Sequence, residues 1–473
     1  MSRFPASLSA AALAAAITAA VPGVARAQLS LADALREADR GAYANRAAAG
    51  AADAERARTL APLRGILPSA RLEAGFVRTT DPIGAFGTTL RQREVTPAAF
   101  DPARLNYPAP VNNYSSGAVV EVPLFNPDAW AGRRAASRAA DASDAQAIWT
   151  RLATRTDVIR AYYGAALATE RVATLEAASR AAQAHLSQAR SMVRQGLVTK
   201  SDALLASVRA GEVEVQLAEA RGDALNARRQ LAVLLGRAEG ALPVVPGALP
   251  TSDRILALVA PDTALGPAAP RADVHAAEAG REAAEADVLR ARATLLPRIN
   301  SFARYDWNAP SGAFAGERNW TVGVMASWSL FAGASELADV RGAAGRRSAA
   351  QAMAEGAVAQ ARLEAEQTRT ALDVALQRLA IAEQGAAQGA EAHRLVEKRY
   401  GGGLATVAEL LDAQATETGS ALALSHARYG VIAAAAARRQ ALGTDPGTLA
   451  VLEENAAPVA RTADPLPTTP PTR

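Results

Sequence analysis

Histidines are the side chains of this 473-residue chain best suited to binding a metal ion or transferring a proton near neutral pH. The chain has His185, His275, His393 and His426, each alone within a predicted helix. A zinc site needs three or four converging ligands, and a catalytic histidine needs a nucleophile or an acid within reach. No second histidine or acid lies at ligand spacing with a matching partner elsewhere. The histidines therefore predict neither a metal site nor a catalytic site.

Three consecutive glycines, Gly401, Gly402 and Gly403, could instead form a phosphate-binding loop. Such a loop follows a strand and precedes Lys-Ser or Lys-Thr, and neither condition is met here. The chain also has no cysteine, so it has no disulfide, no thiolate metal ligand and no cysteine to carry a lipid. We predict no enzymatic activity and no cofactor.

The last of these glycines belongs to a motif that occurs twice. RQGLVTKSDALLA surrounds Gly196 and YGGGLATVAELLDA surrounds Gly403, and both contain G-L-x-T-x-x-(D/E). Glycine permits the left-handed backbone that ends many helices, and long alanine-rich segments flank each copy. The motif therefore predicts two turns, each joining a pair of long helices.

The chain is an internal duplication, because four landmarks recur in the same order in both halves. They are Leu67-Pro68 with Leu296-Pro297, Leu124-Phe125 with Leu330-Phe331, Gly196 with Gly403, and Gly236 with Gly443. Each half predicts a helix, a β-hairpin and a long helical hairpin. The first repeat is 28–240, with hairpins 69–125 and 127–236, and the second is 271–443, with hairpins 298–331 and 332–443. An insertion between Arg78 and Tyr114 predicts a long loop.

The segments outside the repeats differ in composition. Residues 1–27 combine Arg3, an apolar stretch and an Ala25-Arg26-Ala27 site, which predicts a signal peptide cleaved before Gln28. Residues 241–270 are rich in proline and predict a linker or equatorial segment between the repeats, and 444–473 form a Pro/Thr-rich tail. No other segment reaches the length of a membrane-spanning helix without charges.

The predicted strands alternate apolar with small or polar residues. In 320–329 one face carries Trp320, Val322, Val324, Ala326 and Trp328. Such alternation with aromatic ends is typical of a membrane β-barrel with a wet lumen, and it also suits a half-buried strand of a soluble sheet. Four strands are too few to close a barrel, and lipid tolerates no open sheet edge. A membrane location therefore requires several protomers, and three would supply twelve strands.

The helical tracts are unusually long. The tract 128–194 has no proline and predicts a helix of roughly 100 Å, a length typical of coiled coils. A seam with 4-3 spacing follows the first turn, at Leu204, Val208, Gly211, Val215, Ala218, Gly222 and Leu225. A seven-residue repeat follows the second turn, at Leu404, Leu411, Thr418, Ser425 and Ile432. These seams predict a hollow cylinder of helices or, alternatively, a solvated helical bundle.

Composition excludes two other classes of protein. Aromatic residues make up 4% of the chain, which argues against the dense core of a compact enzyme. The net charge of +4 is too small for a nucleic-acid-binding surface, so we predict no nucleic-acid partner.

With these motifs in this order, the sequence resembles the TolC family of outer-membrane efflux and secretion channels over nearly all of the mature chain. The resemblance implies a mainly α protein with a small β part, built from long coiled-coil helices and two β-hairpins. It implies a homotrimer with a 12-stranded β-barrel in outer-membrane lipid and a 12-helix α-barrel in the periplasm. It also implies a passive exit duct of a tripartite efflux or type I secretion system, bound to a periplasmic adaptor and, through it, to an inner-membrane pump.

The resemblance assigns roles to residues around the two turns. The positions that adaptors contact in the family correspond to Gly196, Leu197, Val198, Thr199, Gly403, Leu404, Ala405 and Thr406. The positions of a pore constriction or gate correspond to Glu409, Asp412, Tyr400, Ser201 and Asp202. Three copies of the acids would favour cations. Family gates often have a basic residue where this chain has Ala405, so we expect the cation elsewhere, with Lys200 as the candidate.

Two other classes remain as alternatives. A periplasmic coiled-coil adaptor or scaffold without a pore would have the long helical hairpins but no aromatic-flanked strand pairs. A substrate-specific porin would need many more strands in each chain.

Overall fold

A computed structural model of the chain describes residues 28–237, 242–264, 271–331 and 333–450. The predicted signal peptide 1–27 and most of the predicted tail lie outside the described residues. The described part is mainly helical and contains one small antiparallel sheet, which confirms the predicted fold class of the protomer.

The described elements alternate between a short sheet and long helices. The helices are α1 (Leu31–Gly41), α2 (Tyr43–Arg58), α3 (Pro82–Arg91), α4 (Pro102–Asn106), α5 (Pro127–Arg194), α6 (Lys200–Leu234), α7 (Ser252–Ala264), α8 (Ala272–Ala293), α9 (Ser335–Gly401) and α10 (Val407–Ala441). The strands are β1 (Ser69–Thr79), β2 (Val111–Phe125), β3 (Arg298–Ala309) and β4 (Glu317–Ser327). Helices α5 and α9 contain 68 and 67 residues, so each is roughly 100 Å long.

The four strands form one sheet in the order β1-β2-β3-β4. The two halves of the chain meet at β2 and β3, where Ala118 is paired with Tyr305. Strand β1 pairs on one side alone with β2, and β4 on one side alone with β3, so both are edge strands of the described sheet. The protomer therefore offers two unpaired backbone edges.

The two faces of the sheet have opposite character because side chains alternate along each strand. The register aligns Leu72, Ala118, Tyr305 and Trp320 in one row. Leu72 and Trp320 are 73% and 72% exposed, so the protomer leaves this apolar face uncovered. The opposite face carries ion pairs, with Arg304 3.3 Å from Glu73 and Arg71 3.6 Å from Glu121.

The insertion between β1 and β2 contains helices, so the prediction of a long loop is wrong there. Helices α3 and α4 each begin with a proline after an aspartate N-cap, Asp81 or Asp101. The buried Gln92 amide donates to the Asn112 carbonyl at 2.8 Å, and Arg93 lies 3.2 Å from Glu317 of β4. The insertion is thus fixed to strands from both halves of the chain.

The proline-rich segment between the repeats also contains a helix, α7, which the sequence did not predict. Asp262 of α7 accepts hydrogen bonds from Arg439 of α10 at 2.9 Å, and both side chains are buried. Ile255 of α7 joins the largest buried cluster, together with residues of α1, α5, α6, α9 and α10. The segment therefore packs against the C-terminal end of α10 and shares a buried cluster with the middle of α5 and of α9.

Near the two turns the long helices pack in the sequence α6–α5–α10–α9, which we call the helix row. Helix α6 contacts α5 through buried residues that include Ala206, Ala210 and Leu217. The predicted α6 seam is not the one that packs within the protomer, since Val208 and Val215 are more than half exposed. The row therefore ends in α6 on one side and α9 on the other, with the predicted seam uncovered.

Candidate functional site at the two turns

Both turns end a helix in the same way. Gly196 and Gly403 have φ angles of +74° and +72°, a backbone conformation that costs other residues roughly 1–2 kcal/mol. The Leu197 N–H donates to the Met192 carbonyl at 2.9 Å, and the Leu404 N–H donates to the Arg399 carbonyl at 2.8 Å. Each bond runs from an N–H to the carbonyl five residues earlier, and it satisfies a carbonyl that the end of a helix leaves free.

Both turns also begin the next helix in the same way, with a capping box. In the first turn, the Thr199 N–H donates to Asp202 Oδ2 at 2.9 Å and the Asp202 N–H donates to Thr199 Oγ1 at 3.3 Å. In the second turn, the Thr406 N–H donates to Glu409 Oε2 at 2.7 Å and the Glu409 N–H donates to Thr406 Oγ1 at 3.2 Å. The repeated G-L-x-T-x-x-(D/E) skeleton thus encodes a complete helix stop followed by a complete helix start.

The capping bonds keep both carboxylates ionised. Hydrogen bonds from the Thr199 side chain and backbone lower the pKa of Asp202 below 3.8, and bonds from the Thr406 backbone and side chain lower the pKa of Glu409 below 4.5. A group whose folded pKa is lowered stabilises the fold above its unfolded pKa and loses that effect as pH falls through the folded value. Both caps are therefore complete at neutral pH and are weakened only in acid, once pH falls below the ordinary pKa range of these carboxyl groups.

A small apolar cluster, which we call the tip core, holds the two turns together. It contains Ala182, Leu186 and Ala189 of α5, Ala206 and Ala210 of α6, Tyr400 of α9, and Val407, Leu410 and Leu411 of α10. The Tyr400 hydroxyl donates to Met192 Sδ at 3.2 Å, which connects α9 to α5. Burial, and secondly the charge of Asp202, raise the pKa of Tyr400. Tyr400 therefore lies beside the first turn although it precedes the second.

The other predicted constriction residues lie at the surface of this bundle. The Ser201 and Thr199 hydroxyls are 2.7 Å apart. The Asp412 side chain is 74% exposed, and its Oδ1 lies 3.7 Å from Arg209 Nη2 of α6. The sequence analysis missed Arg209, because a position in sequence does not show which residue of α6 lies opposite α10.

The predicted adaptor contacts divide into outward and inward residues. Leu197 and Leu404 are 65% and 73% exposed at the ends of the two turns. Val198 and Ala405 are half-buried and pack against the tip core. Behind the turns, a groove of about 300 Å³ runs between α6 and α10, with Ala178 and Ala182 of α5 at its floor. Each turn thus presents one leucine beside a groove bounded by helices.

The structure brings together two histidines that the sequence analysis treated as isolated. The ring centroids of His185 on α5 and His393 on α9 are 6.2 Å apart, and His393 Nδ1 is 2.6 Å from Glu417 of α10. Each histidine lies about three helical turns before the glycine of its own turn. Because the two turns lie side by side, histidines at the same distance from their turns come into contact. Among the described residues, no three side chains of His, Cys, Asp or Glu form a group that could hold a metal ion.

The duplicated protomer, the uncovered sheet and the paired turns together define the TolC-like class of outer-membrane channels. The sequence matches the family described as "Outer membrane efflux protein" over residues 85–237 and 268–444, and the chain belongs to this family. This is a family of transport proteins that extend helices into the periplasm, and it is not an enzyme family. Within the described residues, no helix has the length and apolarity needed to cross a membrane.

Solved outer-membrane channels share this fold. VceC from Vibrio cholerae is 20% identical, with 88% of this chain and 96% of that chain covered, and a TM-score of 0.71. CmeC from Campylobacter jejuni is 15% identical, with 90% and 89% covered and a TM-score of 0.73. MtrE from Neisseria gonorrhoeae, in its open state, is 20% identical, with 88% and 90% covered and a TM-score of 0.69. A comparison with curated proteins gives no match.

Removal of the Thr406 cap tests the assignment of the repeated motif as a helix start. Thr406→Ala should make local opening of the first turn of α10 easier by about 1 kcal/mol, because the cap hydrogen bonds are lost. Hydrogen–deuterium exchange of residues 407–411 should then be roughly fivefold faster at neutral pH. Thr406→Ser, which keeps the hydroxyl, should leave the rate nearly unchanged, and equal rates in all three proteins would refute the capping assignment.

Proposed function

We propose that this protein is the passive outer-membrane exit duct of a tripartite efflux or type I secretion system. In this proposal it is a homotrimer, exported through its signal peptide without a lipid anchor, and docked on a periplasmic adaptor that joins an inner-membrane pump. The observation that carries the proposal is that one protomer has unpaired edges and an uncovered apolar face. Within the described residues, no further strand pairs with those edges.

The sheet supports a location in lipid. Its strands contain 11 to 15 residues, enough for tilted strands to cross a bilayer. An apolar face suits hydrocarbon, and the ion-paired face with Arg71, Glu73 and Arg304 suits a wet lumen. Since hydrocarbon cannot hydrogen-bond the free edges of β1 and β4, these edges must pair with other protomers. A periplasmic scaffold without a pore would have no use for this face.

The helix row supports closure in the same ring. Gly211 and Gly222 of α6 have open space where a side chain would begin, as does Gly356 of α9. Helix α9 also exposes a series of apolar residues, namely Met353, Leu363, Val374, Ile381 and Leu395. The two ends of the row therefore present different uncovered surfaces, one on α6 that includes Val208 and Val215 and one on α9. Two different surfaces that bind head to tail generate a closed ring, which we propose has three members.

A leucine at position 211 tests this interface. A Cβ added at Gly211 has no atom of the described residues within 4 Å, and leucine improves helix propensity, so the Gly211→Leu protomer should still fold. It should prevent close approach of a neighbouring α9, an overpacking cost of about 1–3 kcal/mol at each of the repeated interfaces. Chemical cross-linking in membranes should then show fewer trimers. Gly87→Leu on α3, also without close neighbours, is the matched control, and trimers at normal yield in Gly211→Leu would reject this interface.

The turns support docking of an adaptor. Leu197 and Leu404 are exposed apolar side chains on rigid, capped turns, and the groove between α6 and α10 is bounded by helices. A helical hairpin that covers both leucines would bury apolar surface at little cost in ordering. We propose that Gly196–Thr199 and Gly403–Thr406 form this contact, with the two leucines supplying most of its apolar area.

Replacement of both leucines tests the docking surface. The double variant Leu197→Asp, Leu404→Asp should bind the adaptor roughly tenfold more weakly or worse, because each buried anchor contributes more than about 1 kcal/mol. Binding is measured by pull-down of the purified adaptor, and trimer formation should be unchanged. Ile83→Asp, an exposed apolar residue on α3, is the control. Normal adaptor binding by the double variant would show that the turns are not the docking site.

The region behind the second turn supports a constriction. Glu409 already caps α10, whereas Asp412 is an exposed acid without a capping role, and Arg209 lies 3.7 Å from it. Tyr400, Ser201 and Asp202 lie around the same bundle. In a trimer, Asp412 would recur three times around the axis, and a ring of carboxylates attracts cations. We propose that this ring sets the charge preference of the entrance.

Two charge changes of opposite sign test the ring. Asp412→Asn should lower the preference for cations, measured as a smaller reversal potential in a salt gradient across a planar bilayer. Arg209→Gln removes the opposing charge and should raise that preference. Identical reversal potentials in the wild type and both variants would place the selectivity elsewhere.

A further inference from the structure

The histidine pair behind the turns has no place in the function proposed so far. His185 belongs to the first helical hairpin and His393 to the second, so their contact joins two halves that are far apart in sequence. Their rings are nearly perpendicular, at 89°, with centroids 6.2 Å apart. The Nε2 atom of each ring is buried without a hydrogen-bond partner. A buried imidazole nitrogen of this kind favours the uncharged ring.

Two carboxylates act on the pair, one from α10 and one from α9. Glu417 of α10 is hydrogen-bonded to His393 Nδ1 at 2.6 Å, and Glu397, one turn after His393 on α9, acts electrostatically on His185. From α5, the group that faces His393 is the imidazole of His185. Ala182, Leu186 and Ala189, the neighbours of His185 on α5, are apolar and belong to the tip core. His393 therefore has a carboxylate partner, whereas His185 has a histidine in contact.

We propose that the His185–His393 pair is a proton-sensitive latch, which holds the two helical hairpins together at neutral pH and releases them when His185 is protonated. A proton on His185 places a positive charge in a partly buried site, where its Nε2 has no hydrogen-bond partner and its ring faces His393. Separation of α5 from α9 exposes this charge to water, and the tip core just below the pair is then opened.

The direction of the pH effect follows from the environment of His185. Burial, and secondly the neighbouring His393, lower the pKa of His185 below 6.5. The folded site therefore binds a proton less readily than the unfolded chain does. Stability from this contact is present above about pH 6.5 and declines as pH falls below that value. The carboxylates of the tip caps, by contrast, have pKa values lowered from their already acidic range, so acid weakens the contact between hairpins before it weakens the turns.

This inference rests on the proposed function in one respect, because it takes the turns to lie at the entrance of a channel. Loosening of the α5–α9 contact should then raise the open probability of the channel between pH 7.5 and 5.5. The proton response of the bundle can be measured independently of conduction. The two readouts therefore separate failure of the latch from failure of the channel.

The bundle is tested by hydrogen–deuterium exchange of residues 182–189 and 400–411 in the purified full-length protein. After correction for the intrinsic pH dependence of exchange, the wild type should exchange several-fold faster at pH 5.5 than at pH 7.5. His185→Gln should remove this difference, and His426→Gln, an exposed single histidine on the same bundle, should retain it.

Three results would overturn the latch. They are equal exchange at both pH values in the wild type, an unchanged pH response in His185→Gln, and an open probability that does not rise in acid while exchange does. If no conductance is seen at any pH, the channel proposal fails, and exchange still decides whether the pair responds to protons.

Discussion

The edge strands β1 and β4 each have one backbone edge that no other strand of the described residues pairs, and hydrocarbon offers no water to hydrogen-bond such an edge. The rest of the architecture is consistent with this constraint. A sheet of four strands cannot close on itself, and the helix row also ends in two open surfaces, α6 and α9. The duplication places one open edge in each half of the chain. The proposed ring pairs all of these surfaces at once, with one kind of contact repeated around an axis.

The long helices place the turns far from the sheet. At roughly 100 Å, α5 and α9 connect the apolar sheet to the tip core without an interruption by proline. The turns must then remain rigid at the ends of these long helices, and their sequence explains this rigidity. A left-handed glycine ends one helix and a threonine–acid capping box begins the next, so the backbone groups at the turn are bonded within about ten residues. The leucine between them is left free to project.

Much of the fold could be predicted because the motifs of one half of the chain recur in the other half. Gly196 and Gly403 fixed the two turns, and alternation around Trp320 indicated a two-faced strand. Helices α3 and α7 were missed because proline-rich segments resemble loops, although proline also suits the first turn of a helix, as at Pro82 and Pro102. The seam of α6 at Val208 and Val215 was correctly found as a pattern, but periodicity does not show which neighbour a seam faces.

The site was less predictable, because its contacts join helices from different repeats. Asp412 and Arg209 are about two hundred residues apart in sequence, as are His185 and His393, and no local pattern pairs them. The duplication did indicate the histidine pair, because each histidine lies at a similar distance before the glycine of its turn. Glu409 was predicted as a pore acid, and its hydrogen bonds to Thr406 show that it also caps a helix. One carboxylate thus has a structural role whatever its role in conduction.

The number of protomers in the assembly tests the central claim of ring closure most directly. Native mass spectrometry of the protein released from membranes in detergent should give a single assembly of three chains, because three copies of four strands close a barrel and three copies of the helix row close a cylinder. A stable monomer, or an assembly with two chains, would leave the edges of β1 and β4 unpaired and would contradict the account.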